Sequence, residues 1–173
     1  GLRALVYLGY TSDIKYSNVN YFSVIGEHRY YQRFAQTTLL AFRAAIFYNE
    51  GKEARLYYVG GSWDLRGWPR FGIRGEKIWL TSLEFRFPLI DMLGIRFPFF
   101  NLGFPGIRGA IFYDMGGAWN DDYTSTIGSV GFGFRSNLFG VMTLRYDMGK
   151  KIEENYSRFQ DGWFYQFFFG WDF

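Results

Sequence analysis

The chain has 173 residues, a net charge of +3 and no cysteine, and aromatic residues make up 24% of it (21 Phe, 14 Tyr, 6 Trp). That length suggests one domain. The lack of cysteine excludes a disulfide framework and a thiolate metal site, and so small a charge gives no case for nucleic acid. Hydrophobic residues reach 49% at a mean hydropathy of -0.13, so apolar and polar residues are interleaved. No run approaches the roughly 18 apolar residues of a membrane helix. High aromatic content, many glycines and interleaved polarity fit an all-β, transmembrane antiparallel β-barrel, whose strands alternate lipid-facing and interior-facing positions. No charged and apolar leader opens the chain, so any signal peptide is expected to have been removed or to lie outside this sequence.

Eight strands are predicted. The first, Leu2 to Thr11, sets Leu2, Ala4, Val6, Leu8 and Tyr10 against Arg3, Leu5, Tyr7, Gly9 and Thr11. Beyond a polar turn over Asp13 to Asn20, the second, Val19 to Phe34, carries Glu27, Arg29 and Arg33 on one parity. Phe22, Val24, His28 and Tyr30 take the other. Ala35-Gln36 allows a tight hairpin into the third, Thr38 to Tyr48, where Leu40, Phe42, Ala44, Ile46 and Tyr48 alternate with Ala41, Arg43, Ala45 and Phe47. Period-two alternation of this kind marks strands rather than helices.

The longest connection follows, Asn49 to Lys77, and holds Val59-Gly60-Gly61-Ser62-Trp63-Asp64-Leu65-Arg66-Gly67-Trp68-Pro69-Arg70. Three glycines and a proline argue against a regular element there. Trp63, Leu65 and Trp68 are apolar anchors that a solvated loop has little reason to carry, so the loop is expected to fold inward and plant Arg66 among acidic side chains. The alternative is a surface loop whose aromatics touch lipid or a partner.

The fourth strand, Lys77 to Leu89, turns Trp79, Thr81, Leu83, Phe85 and Phe87 one way and Leu80, Ser82, Glu84 and Arg86 the other. Asp91 to Gly106 reads as a connection rich in Gly, Pro and Phe, with Phe97-Pro98-Phe99-Phe100 suggesting an interfacial segment. The fifth strand, Ile107 to Trp119, places Arg108, Ala110, Phe112, Asp114 and Gly116 opposite Ile111, Tyr113, Met115 and Trp119. A polar loop over Asn120 to Thr126 leads to the sixth, Ile127 to Arg135. The short turn Ser136 to Gly140 leads to the seventh, Val141 to Met148. The eighth, Gly162 to Phe173, has an unbroken aromatic face of Trp163, Tyr165, Phe167, Phe169, Trp171 and Phe173, with Gln166, Gly170 and Asp172 opposite.

With the aromatic parity turned to lipid, the other parity carries Arg43, Glu84, Arg86, Arg108, Asp114, Arg135, Arg145 and Asp147. A cation on the lipid face costs roughly 2–4 kcal/mol near the midplane, so the side on which these charges fall supports the barrel independently. A soluble β-sandwich also alternates, but it would have to bury about 40 aromatics in too little volume. If the C-terminus is periplasmic, the long loops are extracellular, except that Asp91 to Gly106 is long on the other side. The expected layout is one β-barrel domain over 1–173: three strands to residue 48, an inward-folding extracellular loop over 49–77, and five strands over 78–173. An eight-stranded barrel is only wide enough for side chains. Either the loop stays outside, or these strands are half of a larger barrel.

Gly60-Gly61 with Leu65-Arg66-Gly67-Trp68 resembles the glycine-bearing V-R-G-F/Y loop of the BamA/TamA superfamily of outer-membrane assembly and translocation barrels, the bacterial surface antigen family. Thr81-Ser82-Leu83-Glu84-Phe85-Arg86-Phe87-Pro88 is similar to the strand that follows it there, and Phe112-Tyr113-Asp114-Met115-Gly116-Gly117-Ala118-Trp119 to its F-x-D-x-G-x-x-W strand. Ser129-Val130-Gly131-Phe132-Gly133 with Leu138-Phe139-Gly140 resembles the penultimate hairpin, and the ending at Phe173 resembles the terminal strand. Order and spacing agree from about Tyr58 to Phe173; Leu65 and Trp68 depart from the more usual residues.

The resemblance implies that Leu65, Arg66, Gly67 and Trp68 form a loop anchor, with Arg66 held by Glu84 and Asp114. It implies that Phe167, Phe169, Trp171 and Phe173 carry an assembly signal. Without it, Glu84 and Asp114 can be read as interior charges paired with Arg86 and Arg108. The family barrel has sixteen strands preceded by periplasmic domains, so this chain looks like its C-terminal half or a shortened relative. Implied partners are outer-membrane lipid, client or passenger proteins, assembly machinery, and the other barrel half or periplasmic domains. The implied location is the outer membrane of a Gram-negative-type bacterium.

An enzymatic reading finds little support. His28 falls among lipid-facing residues, Asp121-Asp122 reads as a solvated turn, and no nucleophile elbow, metal cluster or phosphate loop occurs. No cofactor, metal or catalytic residue is expected. The function that the resemblance implies is assistance to outer-membrane protein assembly, insertion or translocation. The alternative is a structural anchor barrel, or a subunit of a larger envelope complex, without transport activity; a small pore is disfavoured because the loop would plug it.

Overall fold

The alternation of the sequence is built into a single antiparallel meander. In the computed structural model, which describes residues 1–16, 18–96, 98–99, 101–138 and 142–171, no helix occurs among the described residues. The strands are β1 (Leu2–Ser12), β2 (Asn20–Arg33), β3 (Leu39–Lys52), β4 (Tyr57–Val59), β5 (Ile73–Gly75), β6 (Lys77–Arg96), β7 (Asn101–Trp119), β8 (Ile127–Leu138), β9 (Met142–Glu153), β10 (Arg158–Phe159) and β11 (Phe164–Trp171). Nine form one sheet in the order β1-β2-β3-β6-β7-β8-β9, with β10 and β11 both pairing with β9; β4 and β5 form a separate hairpin. β4, β5 and β10 are additions to the eight strands predicted. Among the described residues no register joins β1 to β11, so the sheet is open, with a free edge at each end.

Several strands run past their expected limits, β8 to Leu138 and β9 to Glu153 among them, and the largest differences, at β3 and at β6–β7, have a physical reason. β3 continues to Lys52, because Asn20 to Phe22 remain available as partners for Glu50 to Lys52. The region from Asp91 to Gly106, expected to be a connection, is instead mostly strand: β6 and β7 stay paired out to Arg96 opposite Asn101. Their register shifts between Pro88 and Ile90. An extra residue at a bulge reverses which parity of a strand faces out, and proline is tolerated where ladder bonds are interrupted. The period-two pattern of β6 therefore breaks at Pro88 although the strand does not. Phe97 and Phe100 of the suggested interfacial segment lie outside the described residues, as do Phe139 and Gly140; Phe99 is exposed.

The two faces of the sheet differ in kind. One exposes Leu83 and Phe85 of β6, Ile111 and Tyr113 of β7, Phe132 and Phe134 of β8, and Tyr165, Phe167 and Phe169 of β11. An apolar exposed face of this extent belongs against lipid or protein rather than water. The opposite face holds the buried polar residues Glu84, Asp114, Ser129 and Asp147 together with Ala41, Ala45, Leu80, Ala110 and Phe112. It is this face that the long loop covers.

Candidate functional site

The loop that leaves β3 is stiffened at its base by the β4–β5 hairpin, in which Tyr57 pairs with Gly75 and Val59 with Ile73. Between them the chain is irregular, closed by Gly61 N–H donating to Trp68 O (3.0 Å) and Gly72 N–H to Pro69 O (3.0 Å). Gly67 sits at φ +82°, in the left-handed region that a side chain disfavours. A Cβ there would also lie 2.5 Å from the Phe164 ring.

The loop is seated first by an apolar contact. Leu65 is fully buried, packed with Val59 of the loop and with Ala45, Ile78 and Leu80 of the sheet; Phe47, Trp68 and Ile127 close around them. Burying a leucine this completely contributes roughly 1.5–3 kcal/mol. The Trp68 indole Nε1–H donates to Gly128 O at 3.0 Å, and Lys151 lies 5.4 Å from its ring centre.

Arg66, 4% exposed, follows directly. Its Nε and Nη2 donate to the two carboxylate oxygens of Asp114, each at 2.7 Å, and Nη1 donates to Glu84 Oε2 at 2.7 Å. Nη2 also reaches Ser82 Oγ at 3.2 Å, and the guanidinium stacks 3.7 Å from the Phe112 ring centre. The sheet register explains why these four partners converge. Ser82 lies opposite Asp114 and Glu84 opposite Phe112, and residues two apart on a strand share a face. Ser82 Oγ–H in turn donates to Asp114 Oδ1 at 2.6 Å. Glu84 additionally accepts from Arg86 Nε and from both terminal nitrogens of Arg135, whose Nη2 stands at 2.5 Å.

Burial works against a charged guanidinium, but Asp114 first and Glu84 after it outweigh burial and hold the Arg66 pKa above the ordinary arginine value. The forked arrangement suits arginine, whose planar donors match a carboxylate at two points. A buried ion cluster of this sort adds little or no net stability against a well-packed apolar substitute, because desolvation offsets the attraction, yet removing one member leaves an uncompensated charge and costs roughly 3–5 kcal/mol.

Further arginines hold the loop backbone from opposite walls. Arg43 of β3 donates from Nη1 to Trp63 O (2.6 Å) and to Asp64 Oδ1 (3.3 Å), while its Nε donates to Glu27 (2.6 Å). Arg145 of β9 donates to Ser62 O, and its Nε stands 2.9 Å from Asp147 Oδ2 in an ion pair without hydrogen-bond alignment. β3 and β9 are four strand steps apart, about 19 Å in a flat sheet at some 4.8 Å per step. Two arginines leaving one face meet on adjacent carbonyls because the sheet curls around the loop. A polar cavity of about 370 Å³ remains beside it, lined by Arg29, Arg43, Asp64, Arg86 and Arg145 among others.

The structure thus brings Leu65, Arg66, Gly67, Trp68, Glu84 and Asp114 together. Of the alternative pairings, Arg86 does contact Glu84, alongside Arg66, whereas the partners of Asp114 are Arg66 and Ser82 rather than Arg108. Phe167 and Phe169 are exposed on the outer face of β11; the Trp171 side chain and Phe173 lie outside the described residues. His28 sits 6.3 Å from the Phe42 ring. Sequence reasoning missed Ser82, Phe112 and Arg135 as partners, and Phe164 and Phe168 as loop contacts. Phe112, Phe164 and Phe168 each put an aromatic ring on the charged parity, a signal that something apolar or cationic covers that face.

This geometry holds a chain segment against the inner face of the sheet. No curated protein matches the chain, and no solved structure does. A family model described as the Omp85 superfamily domain matches residues 1–173. Proteins of that superfamily are bacterial outer-membrane proteins of the insertion and translocation type, working with other assembly components and clients and not as enzymes. The BamA/TamA resemblance drawn from the loop and strand motifs points the same way, and the chain belongs to the Omp85 superfamily.

Proposed function

We propose that this domain works in the outer membrane as a BamA/TamA-type barrel component that assists the assembly, insertion or translocation of other proteins. The observation that carries this reading is the loop arginine of an Omp85-superfamily chain buried between Glu84 and Asp114. In this role Leu65, Arg66, Gly67 and Trp68 are the anchor that keeps the extracellular loop folded inward, and Glu84 and Asp114 are its acceptors. The free edges of β1 and β11 support a second element of the reading. Unpaired backbone cannot remain in hydrocarbon, so in the membrane these edges pair with further strands, from the other half of a sixteen-stranded barrel or from a client added by β-augmentation. The outward Phe167 and Phe169 of β11, together in sequence with Trp171 and Phe173, serve as the chain's own assembly signal.

Depleting the native protein from its host tests the reading. Accumulation of unassembled outer-membrane proteins or trapped passengers is the expected result. Unaltered outer-membrane protein levels, with loss only of an associated envelope complex, would instead assign it the role of a structural anchor.

A further inference from the structure

The two free edges of the sheet are not equivalent. β1 is exposed on both faces: Leu5 and Tyr7, on the parity that faces inward, are 53% and 55% exposed, against 68% and 73% for Leu2 and Val6 on the other. Along β11 the inward residues Phe164, Gln166, Phe168 and Gly170 are partly covered while Tyr165, Phe167 and Phe169 stand exposed. The cover is the loop. The Trp63 ring meets the Phe168 ring edge-on at 4.8 Å, and the Arg145 guanidinium lies 5.5 Å from the first ring and 5.4 Å from the second. Gly67 N–H donates to Gln166 Oε1 at 3.3 Å, and the Gly67 backbone approaches Phe164 so closely that no Cβ fits between them. Among the described residues β11 has a ladder on one side only, to β9.

From this we infer that the inward-folded loop positions the C-terminal edge strand, with Trp63 and Gly67 as the positioning residues and Arg145 as the link from β9. The loop is a tie from β3, through Arg43 and the Trp63 carbonyl, to the inner face of β11. Anything that lifts the loop tip therefore loosens the terminal edge, and a strand added at that edge is felt by the loop. The inference rests on the reading that Arg66 keeps the loop in place, and it assigns that anchor an output. Aromatic contacts of this type are individually small, but an edge strand with a single ladder is where a small contact decides local opening.

The test is hydrogen exchange on the refolded full chain in lipid, read segment by segment. Trp63 is itself 55% exposed, so Trp63→Ala opens no core. It should raise amide exchange across β11 by on the order of tenfold while leaving β2, β3 and the amides of residues 64–67 as they were. Phe168→Ala should do the same, the double variant should exchange no faster than the faster single, and Trp63→Phe should restore protection. Arg66→Ala should release both the loop and β11. Unchanged β11 exchange in Trp63→Ala and Phe168→Ala, or effects that simply add, would overturn the inference even if Arg66→Ala frees the loop. A loop that stays protected in Arg66→Ala would overturn the anchor reading instead.

Discussion

The loop-covered part of the sheet and its N-terminal strand obey the same alternation and end in opposite states. In β6 and β7 the inward-facing Ile78, Leu80, Glu84, Ala110, Phe112 and Asp114 are buried, and the two carboxylates among them are gathered on Arg66. In β1 the inward parity carries Arg3, Leu5, Tyr7 and Gly9, and all of them but Gly9 stand exposed. Strand pattern therefore fixes which face looks inward but not whether that face is covered. Cover comes from Leu65, Arg66 and Trp68, residues of a segment with no periodicity of its own.

Breaking the anchor should separate the two regions most sharply. Arg66→Ala leaves Glu84 and Asp114 buried beside fewer cations, and a loss of about 3–5 kcal/mol is expected. It should appear as an earlier transition in urea and a weakened heat-modifiable folded band on gels. Arg66→Lys keeps the charge but not the fork, so its loss should be smaller. Leu65→Ala removes the apolar half of the seat, and a fully buried leucine truncated in place costs about 2–5 kcal/mol. Its counterpart Leu5→Ala, on the uncovered inner parity of β1, should stay within about 0.5 kcal/mol. A β1 variant as costly as the loop variant would mean that the inner face of β1 is covered in the folded protein, and the two regions would no longer differ.

Much of this arrangement was legible beforehand. The inward placement of Glu84, Arg86 and Asp114 follows from counting by two, because side chains on a strand alternate without exception until a bulge intervenes. The strand limits were less legible, since Pro88 and the extra residue beside it reverse the pattern of β6, and the apolar run beyond reads as a loop. β4 and β5 have three residues each, too few for alternation to register. The partnership of Arg66 with Ser82 and Phe112 could not be read, because it depends on how β6 and β7 pair: Ser82 faces Asp114 and Glu84 faces Phe112 only in this register. The grip of Arg43 and Arg145 on loop carbonyls was hidden for another reason. Backbone acceptors leave no trace in side-chain identity.

Everything turns on whether Arg66 and its two carboxylates act as one unit. A double-mutant cycle by equilibrium unfolding in lipid, pairing Arg66→Ala with the combined Glu84→Gln and Asp114→Asn change, measures this directly. The predicted result is a coupling of about 2 kcal/mol or more, with the combined variant little worse than Arg66→Ala alone. Losses that add within roughly 0.5 kcal/mol would contradict it and leave the loop arginine a bystander.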